Sequence, residues 1–456
     1  MIRRRDAIDT AECHLLSRAA NQMIPAVSSA QAVLFFVQLA VLLALALGLG
    51  RIAQLLHQPA VVGELLAGLV VGPSLLGHLF PRATSLLWPV NDQTHLVDAV
   101  AQFGVVLLVG LTGSEVDLSL IRRRRAAVLW TSTLALLIPL ATGMAAAALA
   151  PRSLLGPTDD RRVFVLYAGV TLCVSAVPVI AKTLTDMNLL HRDVGQLALA
   201  ASAVDDAVGW ILLSLASAAA TANITVPSIL FALFGMCGVV TIAMLLRRPV
   251  SAWAARAVAP GRRITAPVVL MMLAAAAITA VLGLEPIFGA FVTGLLLASD
   301  AGRRALAPMR ALVLGVLAPI FLATAGLRVD LNLLRQWTLL LTTIVVIALA
   351  TAGKVAGAYL GARLGRLNHW EALALGSAMN GRGMVEIVVA SVGLQLGVLT
   401  TATYTVVVLM AIVTSMLVPP FLRATMRRAE RLAGAQLTAV DHEVPWSVPR
   451  DESAEA

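Results

Sequence analysis

The sequence predicts an all-α, polytopic membrane protein, and three observations predict it. Of its 456 residues, 59% are hydrophobic and only 13% charged, where soluble domains carry about 25%; mean hydropathy is +0.88. Apolar segments of roughly 17–25 residues, long enough to cross a hydrocarbon core, recur from Ala30 to Leu422. The loops between them are short and arginine-rich. An outer-membrane barrel would show short alternating strands instead.

The chain divides into a polar N-terminal extension (1–29), a membrane domain (30–422) and a short tail (423–456) expected to be disordered. The extension has neither the apolar core nor the small-residue cleavage site of a signal peptide. Thirteen spans are expected, at 31–50, 60–79, 97–117, 126–150, 163–183, 194–220, 225–246, 265–283, 285–299, 309–327, 337–362, 370–396 and 400–422. The eighth and ninth are separated only near Gly283–Glu285.

Loop charge sets the expected orientation. With the amino end outside, the inside loops hold Arg51, Arg122–Arg125, Lys182, Arg192, Arg247, Arg248, Arg256, Arg262, Arg263, Arg303, Arg304, Arg310, Arg363 and Arg366, and the tail adds Arg423, Arg427, Arg428 and Arg431. The outside loops hold Arg82, Arg152, Arg161, Arg162, Arg328 and Arg335. Arg3, Arg4, Arg5 and Arg18 run against this bias, and a start at Met23 instead of Met1 would remove them. The net charge of +9 is therefore topological, and no nucleic-acid partner is expected. Three scattered cysteines (Cys13, Cys173, Cys237) without a CxxC pair argue against a structural metal or a disulfide framework, and nothing calls for a cofactor.

The chemistry begins in the sixth span, where Asp205 and Asp206 stand side by side. A carboxylate at the centre of a membrane helix costs roughly 2.5–3.5 kcal/mol on insertion scales. Two of them, with no basic residue on their own span, need a cation from elsewhere. Of 34 basic residues only Lys182 and Lys354 are lysines, and a lysine, unlike an arginine, can lose its proton when buried. Lys354 lies inside the eleventh span; Lys182 lies at the end of the fifth and reads equally as a loop cation.

Two spans contain helix breakers. The fifth holds Pro178 after Ser175; the twelfth holds Asn380-Gly381-Arg382-Gly383 at its middle, with Glu386 four residues after Arg382. Interrupted helices in the two halves of a transporter point to its ion site, because unwound backbone exposes carbonyls and helix ends. Counted from the basic ends, Ser175, Lys354, Asp205 and Arg382 fall at depths of about 11–17 Å, so four helices bring polar groups to one level. Adjacent helical residues point about 100° apart, so only one of Asp205 and Asp206 can meet Lys354 while the other faces a cavity. A carboxylate there holds a proton or a cation but not both, which in a unit opening to each side in turn is antiport. The blander readings are a purely structural ion-pair network, an Arg382–Glu386 pair that merely braces the broken helix, a Ser175 hydroxyl satisfying backbone, and solvated or loop-paired roles for Glu64, Glu115 and Asp117.

At these residues the sequence resembles the monovalent cation/proton antiporters of the Kef-type and NapA-type branch. The motifs are "PAVVGELLAGLVVGPSLLG" (59–77), "SEVDL" (114–118), "SAVPVIAKTL" (175–184), "SAVDDAVGW" (202–210), "FGAFVTGLLLA" (288–298), "LAPIFLATAGLRVDL" (317–331) and "ALALGSAMNGRGMVEIVVASVGLQLG" (372–397). The resemblance implies inverted repeats with two broken crossing helices, a core domain and a dimerising scaffold. It implies Asp206 as the shared cation and proton site, Asp205 as the neighbour paired with Lys354, and Ser175 in the first unwound segment. Asn380, Arg382, Glu386 and Pro178 then serve the broken helices as structural or charge-compensating groups. Ala176 stands where some relatives carry a second hydroxyl. The expected partners are Na⁺, K⁺ or Li⁺, protons, the lipid of an inner membrane and a second copy of the chain. No enzymatic activity is expected: adjacent aspartates on one helix diverge and cannot form an aspartyl-protease dyad. A proton-driven exporter of an ionophore or other small molecule is the rival on the same fold.

Overall fold

The computed structural model describes residues 28–88, 94–115, 125–187, 189, 192–221, 226–257 and 265–443. The first 27 residues, Asp117, Arg122–Arg124, Arg262, Arg263 and the last 13 residues lie outside them. The described chain is helical. In order it forms α1 (Ser29–Leu55), α2 (Ala60–Val71), α3 (Thr94–Glu115), α4 (Arg125–Leu149), α5 (Arg161–Cys173), α6 (Val177–Asp186), α7 (Asp193–Thr221), α8 (Val226–Ala257), α9 (Thr265–Val281) and α10 (Pro286–Leu296). Then α11 (Asp300–Leu312) passes through a π-helical turn (Val313–Leu317) into α12 (Ala318–Leu327), followed by α13 (Trp337–Leu364), α14 (His369–Met379), α15 (Met384–Gln395) and α16 (Thr401–Glu443). Helix occupies every expected span. Among the described residues, nine helical stretches are long and apolar enough to cross a membrane, and three shorter apolar helices accompany them.

Local sequence sets the ends. Ser28 with Gln31 and Asn368 with Glu371 form capping boxes at α1 and α14, each satisfying two donors that a helix start leaves unmet. Asp160 caps α5 through Arg162 and Val163 N–H. Gly283 takes a left-handed φ of 71° after α9, and Pro286 sits in the first turn of α10; these two residues separate the expected eighth and ninth spans.

Several boundaries differ from expectation. Pro178 does not break a helix; it lies in the first turn of α6, where its missing N–H would have had no intrahelical partner. The break is the extended stretch 174–176 just before it. The tenth span begins nine residues early, at Asp300, because its basic first turns are themselves helical. The tail expected to be disordered from 423 continues α16 to Glu443, in a stretch rich in Ala, Leu, Arg and Glu, which favour helix.

Two groups of helices emerge. One packs α4, α5, α6, α7 and α13–α16 around the broken helices; the other packs α1, α2, α3 and α9–α12. Counting segments from α1 and again from α9, with α8 between, the interrupted helix is the fifth of each six, which is the signature of an internal repeat. Small residues let helices close up where the site is held. Along α13 and at its C-cap, Gly353, Gly357, Gly361 and Gly365 form a ridge against α4, and a Cβ at Gly357 would stand 2.4 Å from the Leu134 carbonyl oxygen. Close approach of this kind drives helix association in lipid, and it fixes α13 so that Lys354, next to Gly353, reaches the crossing.

Candidate functional site

The two interruptions meet. Ala176, in the unwound stretch after α5, donates its N–H to the carbonyl of Gly381, in the unwound stretch between α14 and α15, at 3.0 Å. Four half-helix ends therefore converge: the C-terminal ends of α5 and α14, with exposed carbonyls, and the N-terminal ends of α6 and α15, with exposed N–H groups. Such ends carry partial negative and positive charge respectively.

Buried side chains answer each end. Arg382, fully buried, donates to the carbonyls of Thr171 (3.1 Å) and Leu172 (2.5 Å) at the end of α5 and to Ala350 on α13 (3.3 Å). Lys354 donates to the next α5 carbonyl, Cys173, at 2.5 Å. Two cations thus cover one negative helix terminus. At α15, Glu386 accepts from the Gly383 N–H at 2.7 Å. Its other oxygen lies 3.9 Å from Arg382, so the expected Arg382–Glu386 pair is loose and each residue mainly serves a helix end. The Arg382 carbonyl is held by the hydroxyl of Ser415 on α16.

The adjacent aspartates have different partners. Asp205 accepts from Lys354 Nζ at 2.8 Å, with both side chains fully buried, and from the Ser175 hydroxyl at 3.1 Å. Ser175 also approaches the Met379 carbonyl, at 3.4 Å. Asp206 turns away from that pair toward the Val177 backbone at the start of α6, a position that suits an anion. It is 3% exposed, and its Oδ1 has no hydrogen-bond partner. Asn380, which ends α14, is fully buried with neither amide atom hydrogen-bonded. Lys182 and Pro178 lie on α6.

A cavity of about 450 Å³ lies on the arginine-rich side of the crossing. Glu64, Glu115 and Arg310 stand in its wall, and it reaches Val179 and Met384, in the first turns of α6 and α15. Glu115 pairs with Arg310 at 2.7 Å, as its loop-paired reading expected. Glu64 and Glu115 are therefore walls of a passage between the two helix groups. The carbonyls of Thr171, Leu172, Cys173 and Ala350 and the Ser415 hydroxyl escaped sequence reasoning. Backbone acceptors carry no residue-type signal, and a lone serine in an apolar span ordinarily bonds its own helix.

The family described as sodium/hydrogen exchanger, transmembrane, matches residues 39–428. Among curated relatives, the Na⁺/H⁺ antiporter NhaS4 of Synechocystis is 31% identical over 82% of this chain and 93% of its own length. Cation/H⁺ antiporter 20 of Arabidopsis thaliana is 30% identical over 88% of this chain, and K⁺/H⁺ antiporter 1 of Saccharomyces cerevisiae is 29% identical over 80%. The chain spans half the length of the Arabidopsis protein and 43% of the yeast one. Among solved structures, the sodium proton antiporter MjNhaP1 of Methanocaldococcus jannaschii superposes with a TM-score of 0.63 over 87% of this chain and 97% of that one, at 17% identity. That likeness is one of fold.

Proposed function

The chain belongs to the sodium/hydrogen exchanger family, and from that premise we propose that it exchanges a monovalent cation, Na⁺ or K⁺, for protons across an inner membrane by alternating access, with Asp206 as the shared site. The observation that carries this reading is the division of labour between two neighbours. Asp205 is engaged by Lys354 and Ser175, while Asp206 keeps an unpartnered oxygen, and a cavity lined by Glu64, Glu115 and Arg310 reaches the first turns of the two helices that restart at the crossing. Oxygen ligands suit a hard cation, and Asp206, the Ser175 hydroxyl and the Asn380 amide oxygen are the donors nearest the two unwound segments.

In this mechanism the cation and the proton compete for one carboxylate. A proton arriving on Asp206 releases the cation to the side then open, and the group of helices holding the crossing moves against the other group to expose the site on the opposite side. Arg382, Glu386 and the Asp205–Lys354 pair keep the half-helix ends compensated throughout, so that the moving unit carries no unmet terminal charge. The amino end lies outside, the carboxyl end in the cytoplasm. The chain works as a pair of identical copies.

The test is exchange in proteoliposomes carrying an internal pH dye, with Li⁺, Na⁺ and K⁺ added after a pH jump, on the native protein and on Asp206→Asn. Native protein should dissipate the gradient with at least one of these ions and the variant with none. Equal exchange by the variant, or a gradient that no monovalent cation discharges but an organic solute does, would overturn the assignment.

A further inference from the structure

The side of the crossing away from the Glu64–Glu115–Arg310 cavity carries a polar cluster that the mechanism above does not use. Glu285 ends the loop before α10 and occupies its N-cap position. Gly113 of α3 packs against Phe291 and Gly294 of α10, so the Glu115 end of α3 and the Leu296 end of α10 share one face. Glu285, at the other end of α10, faces the opposite side.

Its polar neighbours come from the other helix group. Ser217, near the end of α7, lies within reach of both the Glu285 carboxylate and the hydroxyl of Tyr167 on α5. Tyr167 is fully buried and Ser217 is 5% exposed, yet neither hydroxyl makes a hydrogen bond of good geometry. Buried hydroxyls left unmet are costly, at about 1–3 kcal/mol each, and here two of them sit beside an acid at the boundary between the helix groups.

The cluster is in line with Asp206. On α7, Asp206, Trp210, Leu213 and Ser217 fall within an arc of about 60° around the helix, and Ser217 lies about 16 Å further along the axis. Between them the indole of Trp210 packs on Phe291 of α10, with ring centroids 6.3 Å apart, and both rings are at most 1% exposed. The Trp210 Nε1 and the Ser214 hydroxyl are also without partners. An apolar pair thus separates Asp206 from the Glu285 side, while the cavity on the arginine-rich side reaches the crossing.

We propose that Glu285, Ser217 and Tyr167 form a second site for the monovalent cation, on the face away from the arginine-rich loops, which the ion occupies before or after Asp206. Three oxygens, two from the moving group and one from the other, supply hard-ion ligands. Binding trades one proton for one cation: the Glu285 carboxyl gives its proton to water on that face, the carboxylate takes the cation, and no covalent bond to carbon changes. The inference rests on the reading of Asp206 as carrier and adds to it an asymmetry between faces.

Exchange should therefore be measured in proteoliposomes of known orientation, with the cation supplied from each face in turn. In Glu285→Gln the half-saturating Na⁺ or K⁺ concentration should rise roughly tenfold, the ratio expected for one lost charged ligand, on the Glu285 face alone. A purely structural Glu285 would depress exchange equally from both faces; that result, or no change, overturns the proposal. Should Glu285→Gln fail to fold, the double variant Ser217→Ala/Tyr167→Phe must show the same one-sided rise, and a two-sided or absent effect overturns the proposal equally. A readout independent of transport is Ser217→Cys, with Cys13, Cys173 and Cys237 replaced by serine. From that face it should react several-fold faster with a cationic than with an anionic thiosulfonate, and Glu285→Gln should abolish the preference. An unreactive Cys, or a preference that survives Glu285→Gln, removes the site even if Asp206 is the carrier. Conversely, native protein that exchanges no cation while this preference stands removes the carrier reading and leaves the site.

Discussion

The two interrupted helices are repeats in position and opposites in chemistry. The break between α5 and α6 has only Ser175 as a polar side chain in its unwound stretch, and its exposed carbonyls are covered by Arg382 and Lys354 from other helices. The break between α14 and α15 carries Arg382 and meets its own N–H groups with Glu386. One break borrows charge and the other lends it. A repeat that began as two equal halves can hold a titratable site only when the halves diverge in this way, because identical charged breaks would repel and identical neutral ones would leave helix ends bare.

The sharpest way to break that comparison is to remove the lender. Arg382→Ala leaves the Thr171, Leu172 and Ala350 carbonyls without their donor and Glu386 without a nearby cation. Loss of one member of a buried charged network costs about 3–5 kcal/mol, so we expect little folded protein by size-exclusion chromatography and a large fall in melting temperature. Arg382→Lys should recover part of both. Next in size is the packing that aims the borrowed lysine. Gly357→Leu drives a side chain into the α4 backbone at Leu134; overpacking of this kind costs about 1–3 kcal/mol, and thermal unfolding in detergent should show it.

Lys354→Gln removes charge from the borrowing break while its amide can still donate to Cys173. Exchange should persist at a reduced rate, and its response to a clamped membrane potential should weaken, read as dye dissipation at two set potentials. An unchanged voltage response would detach Lys354 from the charge carried per cycle. The smallest effect is expected for Ser415→Ala, which frees the Arg382 carbonyl. One neutral hydrogen bond is worth about 1 kcal/mol, a small melting shift with exchange retained.

Much of this was legible in the sequence because membrane insertion makes charge conspicuous. Asp205, Asp206, Lys354, Arg382 and Glu386 stand out in an apolar chain, and the structure brings them to one crossing. The scarcity of lysine and the 100° divergence of neighbours pointed to one aspartate pairing with Lys354; only the family resemblance implied that it is Asp205, and the structure pairs those two. Pro178 looks like the breaker of the fifth span but is at ease in a first turn; the unwound stretch itself contains Ser175, where the resemblance implied it. What could not be read was which carbonyls the buried cations serve, since every residue offers one. Glu285 was hidden as well. It looked like part of a loop between two weak spans, and only the packing of α10 against α7 brings it near Ser217.

The most direct test of the central claim needs no membrane. Purified protein in weakly buffered detergent, held near neutral pH, is mixed with NaCl, KCl or choline chloride while released protons are followed with a pH dye. If cation and proton compete for the Asp206 carboxylate, Na⁺ or K⁺ should release protons in a saturable way, choline should not, and Asp206→Asn should lose the main release while the Asp205–Lys354 pair stays in place. Undiminished release from folded Asp206→Asn would contradict it.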